Sequence, residues 1–174
     1  INRGEVTKIS KISFTGDKKV RDKRLRDGLA REEDKFWKII SKNTKFSENL
    51  INLDKRLLLN YYKSIGYYDV EVTSTSAEIQ DTANINIIYT INAGTRYTIN
   101  KISTNVDKVF DKEIFYPLNE SYKEVTGGYY SPFKIKKILD EIEELIEINN
   151  LQFVEHEVQE TIKNDQISLI FNIK

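Results

Sequence analysis

The side chains that most often do chemistry are sparse in this chain and poorly placed for it. His156 is the single histidine, and there is no cysteine. Thiolate metal sites, cysteine nucleophiles and disulfide staples are therefore excluded outright. Glu155 and Glu157 flank His156 but point across a strand from it. That leaves no ligand set at metal-binding spacing and no serine–aspartate company for a triad, so His156 reads as a surface histidine. Glu141, Glu143, Glu144 and Glu147 could do acid–base work only inside a desolvated cleft. They read instead as the wet face of a helix, with Lys137 and Glu141 at ordinary four-residue pairing distance. Gly127-Gly128 is followed by no lysine–serine or lysine–threonine pair, so it is no phosphate loop. No catalytic residue, no metal and no cofactor is expected, and the chain reads as a binding segment rather than an enzyme.

Composition narrows the classes further. The 174 residues carry 27 basic and 27 acidic side chains, without the basic excess that phosphate neutralisation favours. Nucleic acid is therefore not an expected partner. Apolar residues make up 39%, enough for real cores, yet no run approaches the roughly 18 apolar residues of a spanning helix. The chain contains no methionine, so Ile1 is not a natural start and the sequence reads as an internal fragment.

The elements that must position any site follow from periodicity. Val6 to Phe14 alternates as a strand, and Gly16-Asp17 marks a turn. A short helix is predicted from about Val20 to Ala30, then a charged loop over 31–46. Ser47 is a suitable N-cap for a longer helix to about Ile65, with Leu50, Leu53, Leu57 and Tyr61 as one stripe and Ile51, Leu58, Tyr62 and Ile65 widening it. Gly66 ends that helix. Two strands follow, Tyr68 to Ile79 and Ile85 to Ile91, around a turn at Asp81-Thr82-Ala83-Asn84. Ile88 breaks the parity of the return strand and suggests that it is central.

The order then repeats. Ile9-Ser10-Lys11-Ile12-Ser13 recurs as Ile99-Asn100-Lys101-Ile102-Ser103. A short helix is predicted at about Asp111 to Tyr116, a loop over 118–130, and a long helix opened by Ser131-Pro132, a capping serine with proline in the first turn. Ile135, Ile138, Ile142, Leu145 and Ile146 form its buried stripe. Strands follow over Phe153 to Thr161 and Ile167 to Ile173, around a turn at Lys163-Asn164-Asp165. The last strand carries the clearest signal. Ile85-Asn86-Ile87-Ile88-Tyr89-Thr90-Ile91 aligns without gaps on Ile167-Ser168-Leu169-Ile170-Phe171-Asn172-Ile173, apolar on apolar and polar on polar. The expected fold is α+β: two tandem β-α-α-β-β modules, over 1–94 and 95–174, each a three-stranded mixed sheet with two helices packed on one face.

Element order and motifs together resemble POTRA domains, the periplasmic repeats of BamA-type outer-membrane assembly proteins. In the first copy the resemblance rests on Ile12-Ser13-Phe14-Thr15-Gly16-Asp17, Phe36-Trp37, Asp54 with Leu57-Leu58, Tyr61-Tyr62 and Gly66-Tyr67-Tyr68-Asp69-Val70. Ile91-Asn92-Ala93-Gly94-Thr95-Arg96-Tyr97 is similar to the family's junction between modules, with Ala93 where an acidic residue is usual. The second copy offers Gly128-Tyr129-Tyr130-Ser131 before its long helix and Asn150-Leu151 where the family has Gly-Tyr; asparagine tolerates the left-handed turn. The middle loop looks most like that of a third POTRA domain followed by a fourth.

That resemblance implies strand addition at a sheet edge, for nascent outer-membrane proteins or accessory lipoproteins, in a periplasmic segment joined to further POTRA domains and a membrane β-barrel. The candidate residues are Tyr68, Asp69, Val70, Glu71, Val72, Thr73, Ser74 and Thr75, on the strand predicted to be an edge. An edge offers unpaired N–H and C=O groups to another chain; the alternative is a plain solvated edge. The equivalent strand of the second copy is made acidic by Glu155, Glu157 and Glu160, and charges on edges block pairing. Phe36 and Trp37 are either a loop contact for a partner or a cap on the core beneath. Other parents for such modules are a two-partner secretion transporter or an organellar import pore. A KH-like RNA-binding module is disfavoured by the absence of a Gly-x-x-Gly loop and a basic groove.

Overall fold

The computed structural model describes residues 8–25, 48–79 and 84–174. The chain divides into two compact units, one of Ile1–Tyr62 with Asp69–Gly94 and one of Lys63–Tyr68 with Thr95–Lys174. The first contains strand β1 (Lys8–Asp17), most of helix α1 (Glu48–Ser64), and strands β2 (Glu71–Ile79) and β3 (Asn84–Asn92). The second contains β4 (Thr98–Val106), a 3-10 turn at Lys112–Phe115, α2 (Leu118–Val125), α3 (Pro132–Ile148), β5 (His156–Lys163) and β6 (Gln166–Ile173). Each unit builds an open three-stranded mixed sheet, in the order β1-β3-β2 and β4-β6-β5. The return strand is central in both.

Register shows how closely the scaffold is duplicated. β1 runs parallel to β3 with Ile12 opposite Ile87 and Phe14 opposite Tyr89. β4 runs parallel to β6 with Ile102 opposite Leu169 and Thr104 opposite Phe171. Both pairs carry one irregularity at the same place, between Ile9 and Lys11 and between Ile99 and Lys101. A bulge bends its strand locally and increases its twist, so both copies keep the bend as well as the pairing. Because residues directly opposite share a face, Ile87, Tyr89 and Ile91 line one side of the first sheet, and Ile167, Leu169, Phe171 and Ile173 one side of the second. All are essentially inaccessible to water. In the second unit that face closes on Phe115, Leu118, Tyr122, Ile135, Ile138 and Ile142 from the helices.

Several local expectations shift. β1 continues through Gly16, which adopts φ 86°; a Cβ there would lie 2.4 Å from the Ile91 carbonyl oxygen, so the close pairing requires glycine. The short helix of the first copy is seen from Asp22 to Leu25, and Ser47 lies outside the described residues. The segment 118–130, read as a loop, contains α2, whose Leu118, Tyr122 and Val125 turn to the core. Ser131 precedes α3 with proline in the first turn, but its hydroxyl makes no cap bond; the N–H groups of Lys134 and Ile135 bond its carbonyl instead. Asn150 takes the left-handed conformation at φ 51°, as the missing glycine requires.

Candidate functional site

In the first unit β2 pairs, among the described residues, on one side only, with β3. Its inner face, opposite Tyr89, Ile87 and Ile85, carries Thr75, Ala77 and Ile79; its outer face, opposite Thr90, Ile88 and Asn86, carries Ser74, Ser76 and Glu78. Burial fades along the strand, from half-buried Val72 and Thr75 to exposed Ala77 and Glu78 and an Ile79 that is 77% exposed. Register slips between Val72 and Ser74, leaving Thr73 as the extra residue, with its hydroxyl donating to the Thr90 carbonyl at 3.3 Å. The ladder beyond it, Ser74 to Ile79, is regular.

The structure brings five of the eight predicted edge residues, Glu71 to Thr75, onto this strand and leaves three off it. Tyr68, Asp69 and Val70 precede the strand. Tyr68 packs edge-on against Tyr97 and Tyr130, with ring centroids 6.1 and 5.0 Å away, and its hydroxyl donates to Glu160 Oε2 at 2.8 Å. Val70 is buried, while Asp69 is exposed. The alternation of Tyr68, Val70 and Val72 imitated a strand, whereas packing draws Tyr68 into the second unit's core. Gly66 makes the approach possible. It sits at φ 107°, where a Cβ would meet Arg96 Cγ at 3.0 Å and the Tyr97 carbonyl oxygen at 3.1 Å. Arg96 donates from Nε to the Ile65 carbonyl at 2.7 Å and lies 3.4 Å from the Tyr129 ring centre.

The second edge strand, β5, starts at His156 rather than Phe153 and pairs with β6 without any register slip. Glu160, expected to repel an incoming strand, turns to the inner face opposite Leu169. There its two carboxylate oxygens accept from Tyr68 and Tyr130, the latter at 2.9 Å. Burial and that carboxylate push the Tyr130 phenol above its ordinary value. Glu157 keeps the outer face and pairs with Lys174 at 2.5 Å. No sequence signal connected Glu160 to a tyrosine so far away in the chain. Phe153 was equally unreadable: it is 97% exposed and held at φ 59°, a conformation that is unusual for a bulky residue.

Other titratable groups play structural parts. Asp54 in α1 is buried and accepts a 2.6 Å bond from the Tyr89 hydroxyl. Desolvation pushes its carboxyl up to about 7, with the tyrosine bond pulling the other way. The same burial, reinforced by the Asp54 charge, raises the Tyr89 phenol. His156 is half-buried rather than superficial, with Nε2 3.4 Å from Glu143 Oε1 on α3. Lys137 reaches Glu124 at 4.0 Å, and Glu141 accepts from Ser121 at 2.5 Å, so the expected Lys137–Glu141 pair is replaced by links from α3 to α2. Phe36 and Trp37 lie outside the described residues. Among the described residues no cluster of three or more histidine or carboxylate ligands occurs, and no helix is long and apolar enough to cross a membrane.

Comparison with known proteins gives this geometry its family. The POTRA model, described as a surface antigen variable number repeat, matches residues 7–94, just over half of the chain. The outer membrane protein assembly factor BamA of Neisseria meningitidis is 25% identical over 82% of this chain, and that of Buchnera aphidicola 27% identical over 99%. The chain spans only 18% and 28% of their respective lengths. Among solved structures, the third to fifth POTRA domains of Haemophilus influenzae BamA superpose with a TM-score of 0.71 over the whole chain and 68% of theirs, at 13% identity. BamA of Haemophilus ducreyi lacking its first three POTRA domains gives 0.63 over 96% of this chain and 29% of its own, at 18% identity. With the same strand order in both units and a family match across the first, the chain belongs to the POTRA family.

Proposed function

We propose that this chain is the periplasmic part of a BamA-type outer-membrane protein assembly factor and that it binds unfolded outer-membrane proteins by strand addition at β2. The observation that carries the proposal is that β2, among the described residues, pairs on one side only, and that its exposed residues, Ile79 apart, are small or polar. Main-chain pairing tolerates many sequences, which suits a receptor for diverse clients. Accessory lipoproteins are the second class of partner proposed for the same edge, and further POTRA domains and a barrel complete the proposed parent protein. The similarity to assembly factors from two organisms supports this parent over a secretion or organellar import transporter. Within that parent the two units correspond to the third and fourth POTRA domains. No covalent chemistry is involved.

The test is a titration of the isotope-labelled chain with peptides from outer-membrane barrel strands, followed by backbone amide shifts. Shifts concentrated between Glu71 and Ile79 are expected. Saturable binding whose shifts avoid this strand contradicts strand addition at β2.

A further inference from the structure

Independently of strand addition at β2, we infer that the turn after β1, from Lys18 to Leu25, is a docking point for an acidic, extended segment of a partner protein, held by Arg21, Lys23 and Arg24. Three observations lead there. First, the turn carries charge that the chain itself does not neutralise. Lys18 pairs with Asp22, and Lys19 with Asp17 at 3.2 Å. Arg21, Lys23 and Arg24 are exposed and make no ion pair among the described residues. Second, the turn is fixed in place. The Asp17 carbonyl accepts from the Ala93 N–H at 2.9 Å, and the Lys18 carbonyl from the Tyr62 hydroxyl at 2.7 Å. Val20 and Leu25 are buried beneath it, and the Leu25 N–H closes a helical turn on the Arg21 carbonyl at 3.1 Å. Arg21 and Arg24 thus stand three residues apart on that turn, the spacing of neighbours on one face. A ligand that meets groups already held in place loses less freedom on binding. Third, the fold does not require these cations. Asp17-Lys18 recurs as Asp107-Lys108, at the spacing that relates Ile9 to Ile99. The buried Val20 and Leu25 correspond to Phe110 and Phe115, which pack on the second core. Between those anchors, Lys19, Arg21, Lys23 and Arg24 correspond to Val109, Asp111, Glu113 and Ile114. The anchors are kept and the charge is reversed. Lys19 also takes φ 53°, a left-handed conformation that favours glycine or asparagine, so lysine brings the backbone no advantage there.

The chemistry of the turn selects the partner. A guanidinium donates two parallel hydrogen bonds to one carboxylate. Arg21 and Arg24, roughly 5–6 Å apart at Cβ, match carboxylates two residues apart on an extended chain, spaced roughly 6.5–7 Å. Both apolar side chains of the turn, Val20 and Leu25, are buried, so affinity comes from charge. A bilayer is the poorer match, because a lipid-binding cluster takes about four to eight cations and this turn offers Arg21, Lys23 and Arg24. Each exposed pair is worth roughly 1.5- to fivefold in affinity. Together the pairs give about tenfold at low salt, and screening removes most of it by about 0.5 M.

The experiment uses the whole chain and a fluorescent eight-residue peptide with glutamate at alternate positions, set against the same peptide with glutamine instead. Anisotropy reads affinity at about 50 mM salt. The glutamate peptide is expected to bind about tenfold tighter, with amide shifts from Lys18 to Leu25. Arg21→Gln/Lys23→Gln/Arg24→Gln is expected to abolish that preference, and Arg24→Gln alone to lower it about two- to threefold. Circular dichroism reports that each variant is folded. The control Lys101→Gln/Lys108→Gln/Lys112→Gln removes the same charge from the second unit and is expected to leave binding within about twofold. Equal affinity for the two peptides overturns the docking point. Equal loss in both triple variants assigns the effect to net charge and overturns this turn as its seat. Co-sedimentation with vesicles of phosphatidylcholine and phosphatidylglycerol at roughly 7:3, abolished by the first triple variant and unaccompanied by peptide binding, overturns the protein partner in favour of a lipid surface.

Discussion

The central strands β3 and β6 can be exchanged on paper, whereas the edge strands β2 and β5 cannot. Each central strand buries the same alternate positions and meets its parallel neighbour in the same register, down to the irregularity after Ile9 and Ile99. The edges diverge. β2 slips register at Thr73 and ends on an exposed Ile79. β5 is regular, and its inner face is secured by two tyrosine hydroxyls on Glu160. Duplication has thus preserved what makes the core and released the edges of the sheets. The cores diverge at one point too. Asp54 and Ile138 are both the seventh residue of their long helices, and Tyr89 stands where the second copy has Phe171. A hydroxyl–carboxylate pair in one unit is replaced by an apolar pair in the other.

The largest expected effect tests the shared scaffold. Ile87→Ala and Leu169→Ala, each at 1% exposure in its central strand, should each lower stability by about 2–5 kcal/mol in urea unfolding. Harmless truncation at either one breaks the equivalence of the two copies.

Next comes the one core difference. Burial pushes the folded Asp54 carboxyl up to about 7 from an ordinary 3.8, so the folded state holds the proton more tightly than the unfolded state. Its contribution is complete below about pH 4 and is lost as pH rises through 7, on the order of 2–4 kcal/mol. First-unit stability should fall over that window in chemical denaturation, and Asp54→Asn should flatten the curve. An unchanged slope in that variant contradicts the assignment.

Glu160→Ala removes the acceptor of two tyrosine hydroxyls and should cost the second unit about 1–3 kcal/mol without touching the first. The smallest effect has the opposite sign. Phe153→Gly relieves a left-handed residue whose ring is 97% exposed and should raise the second unit's stability by about 1 kcal/mol.

The contrast also explains what the sequence disclosed. Strand alternation is a local property, so β3 and β6 stood out, and their shared pattern revealed the duplication. The long helices were legible for the same reason. α2 is hard to read although Leu118, Tyr122 and Val125 have helical spacing, because Pro117 and Gly127-Gly128 bracket it with loop signals. The candidate edge was placed three residues too early, since Tyr68 and Val70 alternate for reasons of packing. Register in Thr73-Ser74-Thr75-Ser76 was hidden because a strand without a strong apolar face specifies its pairing weakly. One partner of Glu160, Tyr68, lies 92 residues away, beyond any local pattern.

The central claim is that β2, and not β5, receives an added strand. The chain has no cysteine of its own, so single substitutions report cleanly. Ser76 and Gln159 occupy equivalent outer positions, opposite Ile88 and Ile170. Ser76→Cys and Gln159→Cys variants can be compared for disulfide capture of an alternating barrel-strand peptide carrying one cysteine. The account predicts capture at position 76 several times faster than at 159, abolished by excess unlabelled peptide; equal or faster capture at 159 would contradict it.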